Sequence, residues 1–273
     1  MHYWTDKERR RIAAVEWNEY IHNNYKAEIN ECIKKTELWD EFCHLEYFDV
    51  AGSKVESMEV LQLTTTQAIK HCSQEGKRVA VLNFASFKNP GGMFLNGSGA
   101  QEESLCHESL LYPVLKAFNA SYYAVNHNNL NRALYKDKLL YSEDIPFFDM
   151  KTKKPADKVD VITCAAPNWG AYAKYHEPIS DRDIALNREL LQSRFEKLYF
   201  VAAKHNVDTL ILGAWGCGVF KQDIHTVIDV MLDAITSYPA NIKHIVFAVP
   251  DADSFRIFDS RVRKAVETQK NVQ

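Results

Sequence analysis

Apolar positions along the chain follow two alternating patterns. Four short runs are apolar on consecutive residues and rich in β-branched side chains: Val79 to Phe84, Val159 to Ala165, Thr209 to Ala214 and His244 to Val249. A strand covered on both faces has no polar side, so unbroken runs of this kind predict buried strands of a parallel sheet. Between and after them the spacing becomes that of helices with one apolar face, at Ile184, Leu191, Phe195, Leu198 and Ala202, and again at Phe255, Phe258, Val262 and Val266. Thr64, with Gln67 three residues later, forms a capping-box pair and predicts a helix running to about Gly76, directly ahead of the strand at Val79. Strand and helix in alternation predict an α/β fold with a mostly parallel central sheet flanked by helices.

Residues 1–58 break the pattern. Charged and aromatic side chains dominate there (Trp4, Trp17, Tyr20, Tyr25, Trp39, Phe42) and strand signals are few, which predicts a helical extension packed on a main domain spanning 59–273. Met150 to Lys158 carries four lysines and a proline without periodicity and predicts a surface loop.

Composition narrows the partners. With 273 residues and 46% hydrophobic side chains, the chain can bury a core that needs neither disulfide nor metal. Lysine and arginine number 33 against 36 aspartates and glutamates, and a net charge of −3 gives no field for nucleic acid. The longest apolar runs are strand-sized, far below the roughly 20 residues of a bilayer span. The amino end reaches Asp6, Lys7 and three arginines without the apolar stretch of a secretion signal. A monomer acting in the cytoplasm, or exported by a route without a classical signal, is expected. The six cysteines include no C-x-x-C pair, so reduced and mostly buried thiols are expected, with no metal site and no cofactor.

Candidate chemistry concentrates in two loops. The first runs from Asn83 to Cys106, where an apolar strand empties into a stretch holding four glycines and Pro90 and then reaches Gln101-Glu102-Glu103 at the start of a helix. Ligands of α/β sheets sit beyond the carboxyl ends of strands, where glycine lets backbone amides approach closely. By itself Q-E-E has a plainer explanation, since acidic residues in a first turn complement the helix dipole. The second loop, Gly213 to Phe220, is a glycine-rich strand-to-helix turn of the kind that offers amides to a phosphate or diphosphate. It is neither a P-loop nor a dinucleotide fingerprint. Phe220 suits either the core or a sugar or base. Cys217 stands in that turn as an exposed nucleophile might, although it lacks the leading glycine of a nucleophile elbow and no histidine is tied to it. His127 suits a polar turn, Asp251 and Asp253 suit a helix cap, and Tyr122 and Tyr123 suit the core.

Together these residues resemble a known family. Asn89-Pro90-Gly91-Gly92, then Met93, seven further residues and Gln101-Glu102-Glu103 resemble the glycine-triplet and Q-E-E signature of poly(ADP-ribose) glycohydrolases. The microbial type, a macrodomain with a helical amino-terminal extension, is the nearer likeness. Ser104-Leu105-Cys106, Leu111-Tyr112-Pro113, Leu140-Tyr141-Ser142, Val161-Ile162-Thr163, Ala165-Ala166-Pro167-Asn168 and Phe247-Ala248 follow in the family's order.

The resemblance implies cleavage of the glycosidic bond at the distal ribose of protein-linked ADP-ribose, as polymer or as single units, arginine-linked ones included. It implies Glu103 as the acid and base, and Glu102 and Gln101 as holders of ribose hydroxyls and the loop. Asn89, Gly91 and Gly92 would line the ribose, Gly216, Cys217, Gly218 and Val219 would cradle the diphosphate, and Phe220 would press the ribose toward Glu103. ADP-ribosylated proteins would be the partners. Met93 departs from the signature, standing where the family has its third glycine. If that position needs positive φ or contact with ribose, methionine strains it or narrows the pocket. The alternative from another class is a non-catalytic ADP-ribose reader, which would share both loops.

Overall fold

The computed structural model describes residues 6–40, 55–73, 76–128 and 130–271. Trp4, Phe42, Cys43, Asn129 and the 58/59 boundary's approach through 41–54 therefore lie wholly or partly outside the described residues. The chain opens with helices α1 (Lys7–Asn24) and α2 (Lys26–Lys34), followed by the short strands β1 (Thr36–Trp39) and β2 (Ser57–Leu61). Asp6 caps α1 by accepting the amides of Glu8 and Arg9, and Ala14, Trp17 and Ile21 bury one side of that helix. Next come α3 (Thr65–Cys72) and β3 (Val79–Phe84), with both halves of the Thr64–Gln67 capping box formed.

The glycine loop leads into α4 (Gln101–His107), α5 (Leu111–Ala117) and, after a π-helical turn at Asn119–Ala124, α6 (Val125–Asn128). His127 thus lies on a short helix and not in a turn. The long strands β4 (Leu139–Asp149) and β5 (Lys154–Cys164) form a hairpin, then α7 (Trp169–Tyr175) and α8 (Asp181–Lys204) lead to β6 (Thr209–Leu212). Helix α9 (Ile224–Ser237), strand β7 (His244–Ala248) and helix α10 (Ala252–Asn271) complete the chain.

The seven strands lie in the order β1-β4-β5-β3-β6-β7-β2. Neighbours from β5 to β2 pair in parallel, while β1 with β4 and β4 with β5 pair antiparallel. This is the mixed, mostly parallel α/β sheet that the apolar runs predict. Side chains alternate across it even in the unbroken β3: Ala80 and Leu82 join the core beneath α8, α9 and α10, and Val79 and Val81 join the opposite core beneath α1 to α5.

Two local expectations need correcting. Within the stretch read as a surface loop, only 150–153 turns, and Lys154 to Lys158 already belong to β5, where they pair with Asp149 through Pro146 of β4. The lysines lie at the solvent end of the hairpin, so charge there marks an exposed strand and not a loop. Likewise β1 places part of the amino-terminal stretch in the sheet itself, as its antiparallel edge.

Candidate active site

Strands β5, β3 and β6 are adjacent and parallel, so the segments leaving their carboxyl ends emerge on one side of the sheet. Three features join the two glycine loops there. An added Cβ on Gly213 would stand 3.0 Å from the Phe84 ring at the end of β3. Phe87 of the first loop stacks on Tyr135, and Tyr135 meets Phe220 of the second loop edge-on at 6.0 Å between ring centroids. Cys164 O at the end of β5 joins them as well, accepting from Ala85 N of the first loop at 3.4 Å and from Trp215 Nε1 of the second at 2.9 Å.

The first loop folds back on its own helix. Gly91 and Gly92 adopt φ of 66° and 62°, conformations costly for side chains with a Cβ. The turn they make brings the Met93 amide to Glu103, donating to Oε1 at 2.9 Å. Met93 itself has φ −109° and ψ 38°, so the third position of the signature demands no glycine. Its side chain is about half exposed, with the sulfur 3.9 Å from Asn89 Nδ2.

The three residues of the Q-E-E run have different surroundings. Gln101 spends its amide on the sheet: Oε1 accepts from Phe84 N at 2.8 Å, and Nε2 donates to Leu82 O at 2.8 Å and to Thr65 Oγ1 at 3.2 Å. Glu102 is buried with both oxygens engaged, Oε2 accepting the Ser86 amide at 2.6 Å and Oε1 the Asn83 side-chain amide at 3.3 Å. Burial holds its carboxyl well above the ordinary range; the Ser86 amide opposes that shift and the neighbouring Glu103 charge adds to it. Glu103 differs in having one oxygen tied to Met93 while the other takes no hydrogen bond from any described residue. Both carboxyl groups are buried, and of the two only Glu103 has an oxygen that accepts no hydrogen bond from a described residue.

In the second loop no described residue accepts from the amides of Gly216, Gly218 or Val219. The Cys217 amide is turned inward to Ala214 O at 3.2 Å. Gly216 has φ 77° and lies against Ala166 and Gln222, while Gly218 is open and Val219 is 79% exposed. Unclaimed amides on a glycine-rich turn suit an anion. The Cys217 thiol is pushed up to about 12 by burial and by the Asp223 charge, the opposite of the lowered pKa that activates a nucleophilic thiol. Among the described residues, no group of three or more His, Cys, Asp and Glu could hold a metal ion, and no helix is long and apolar enough to cross a membrane.

The family model of the microbial-type PARG catalytic domain matches residues 9–150, a span that includes the first loop and Glu103. The chain belongs to the microbial-type poly(ADP-ribose) glycohydrolases. It is similar to the crystal structure of poly(ADP-ribose) glycohydrolase from Thermomonospora curvata, with 29% identity, a TM-score of 0.82 and coverage of 93% of this chain and 99% of that one. The same enzyme bound to the inhibitor ADP-HPD matches with a TM-score of 0.79, at 29% identity and the same coverage. The enzyme from Deinococcus radiodurans in complex with ADP-ribose matches at 33% identity and TM-score 0.74, over 88% of this chain and 97% of that one. No curated protein matches the chain significantly.

Against this glycohydrolase framework, two buried polar residues at the site went unassigned in the sequence. Asn83 is fully buried in β3 and bonds both Glu102 and Thr163 Oγ1, the latter at 3.3 Å. Its signal was an amide inside the otherwise apolar run Val79 to Phe84. Arg194 of α8, also buried, donates to the carbonyls of Ala165, Leu134 and Tyr135 and so fixes the segment carrying the Tyr135 ring. Nothing in the helical spacing of α8 distinguishes it from a solvated arginine.

Proposed function

We propose that this glycohydrolase cleaves the O-glycosidic bond of the distal ribose in protein-linked poly(ADP-ribose), with Glu103 moving the proton. The observation that carries the reading is the asymmetry of the two carboxyl groups: Glu102 is engaged at both oxygens and Glu103 at one. In the forward step the protonated Glu103 gives its proton to the leaving oxygen as the anomeric C–O bond breaks, generating an oxocarbenium-like ribose. The carboxylate then takes a proton from the water that adds to the anomeric carbon, which restores Glu103 and releases ADP-ribose. The unclaimed amides of Gly216, Gly218 and Val219 hold the diphosphate, whose negative charge lies near the developing cation.

In this reading Asn89, Gly91 and Gly92 line the ribose and Phe220 supports it. Glu102 and Gln101 act from beneath, holding the loop to β3. ADP-ribosylated proteins are then the partners of a monomeric enzyme in the cytoplasm, or in a host cell if it is exported.

The test compares poly(ADP-ribose) with serine-, glutamate- and arginine-linked mono-ADP-ribose, without added divalent metal. Release of ADP-ribose from the polymer is expected. Binding of ADP-ribose without release from any of the four substrates would make the chain a reader and overturn the proposal.

A further inference from the structure

The amino-terminal helix is built into the catalytic loop. Arg10 Nε of α1 donates to Gly97 O at 2.8 Å. Gly97, with φ 76°, fits so tightly under the same helix that an added Cβ would stand 2.1 Å from Lys7 O and 2.9 Å from Arg11 N. Gly99 lies flat against the Arg10 guanidinium, where an added Cβ would be 3.1 Å from Nε. One turn closes between this anchor and the active site: Asn96 N and Ser98 N donate to Met93 O at 3.0 and 3.2 Å, and Gly97 N donates to Phe94 O at 3.0 Å. The residue at its start is Met93, whose own amide holds Glu103 Oε1 at 2.9 Å. Phe94 behind the turn is buried and meets His107 of α4 edge-on at 4.6 Å. A continuous path of hydrogen bonds thus leads from a side chain of the extension to the carboxyl group.

We infer that Arg10 is a positioning residue for the hydrolysis, fixing the 93–98 turn so that the Met93 amide holds one oxygen of Glu103 and leaves the other free. The inference rests on the assignment of Glu103 as the proton carrier. Arg10 is well suited to the task because its rigid, always-charged guanidinium can bond Gly97 O and support the Gly99 backbone at once. The contact with the carbonyl restrains a loop that holds four glycines from Gly91 to Gly99 and is otherwise free to move.

The test measures Arg10→Ala and Arg10→Lys in the full chain by two readouts, amide hydrogen exchange at Met93 and ADP-ribose release per ADP-ribose-binding site. Normalising to binding sites removes any misfolded fraction from the rate. Arg10→Ala is expected to speed exchange at Met93 and to lower kcat by about tenfold with KM for the polymer within about twofold, the pattern of a misplaced reacting group. Arg10→Lys, which keeps a donor for Gly97 O but loses the guanidinium against Gly99, should recover part of both. Met93 exchange and kcat both unchanged in Arg10→Ala would overturn the inference, as would faster exchange at Met93 with kcat unchanged, which would reduce Arg10 to packing. Should the unsubstituted chain release no ADP-ribose, the Glu103 assignment fails, while exchange at Met93 still decides whether Arg10 fixes the turn.

Discussion

Gly92 and Glu103 touch so closely that a Cβ on Gly92 would stand 2.4 Å from Glu103 Oε1. The glycine serves the carboxyl group twice, by its absent side chain and by its φ of 62°. Gly92→Ala should therefore displace Glu103 and relax the turn together. We expect a fall in kcat of at least about a hundredfold, a loss typical of a misplaced catalytic group, in steady-state release of ADP-ribose from polymer.

Met93 shows the opposite case. With φ −109° it takes no benefit from glycine, so restoring the family's triplet by Met93→Gly should lower stability by about 0.5–1 kcal/mol through added freedom of the unfolded chain. Urea denaturation checks the sign: a more stable Met93→Gly protein would mean that methionine is strained there.

The half-buried Cys217 thiol is pushed up to about 12 by burial first and the Asp223 charge second, the opposite of what a nucleophilic thiol needs. Cys217→Ser should keep kcat within about threefold, and iodoacetamide should not inactivate the protein under native conditions.

His107, on the last turn of α4, is held down to about 4 from 6.5 by burial first and the Arg10 charge second. The unfolded chain binds this proton from about pH 6.5 downward, whereas the folded one resists until about pH 4. Its contribution is thus present above pH 6.5 and lost as pH falls through 4, by at most about 3 kcal/mol for the full shift. Chemical denaturation between pH 7 and 4 should show the parent losing stability relative to His107→Phe across that window.

How much of this was legible beforehand depends on the kind of signal. The consecutive apolar runs of β3, β5, β6 and β7 could be read because strands buried on both faces tolerate few polar residues. β4 could not, because Glu143 and Asp144 interrupt it where the register shifts between Ser142 and Ile145 and Asp144 takes φ 54°. At the site, Glu102 and Glu103 are neighbours of identical type. The family resemblance tells them apart by position in the signature; the physical difference comes from the fold, through the Asn83 amide from β3 and the Ser86 amide from the loop. Arg10 was hidden for a related reason. It sits in a charged run, and its contact with Gly97 spans 87 positions of sequence.

Single-turnover release of ADP-ribose from poly(ADP-ribose) by Glu103→Gln isolates the carboxyl oxygen that moves the proton. The amide keeps the acceptor for Met93 N but cannot shuttle the proton. The rate is expected to fall by at least about a thousandfold, within the range of a lost general acid, with ADP-ribose binding retained within about tenfold. A Glu103→Gln protein that still hydrolyses polymer at near the parent rate would contradict the assignment of Glu103 as the proton carrier.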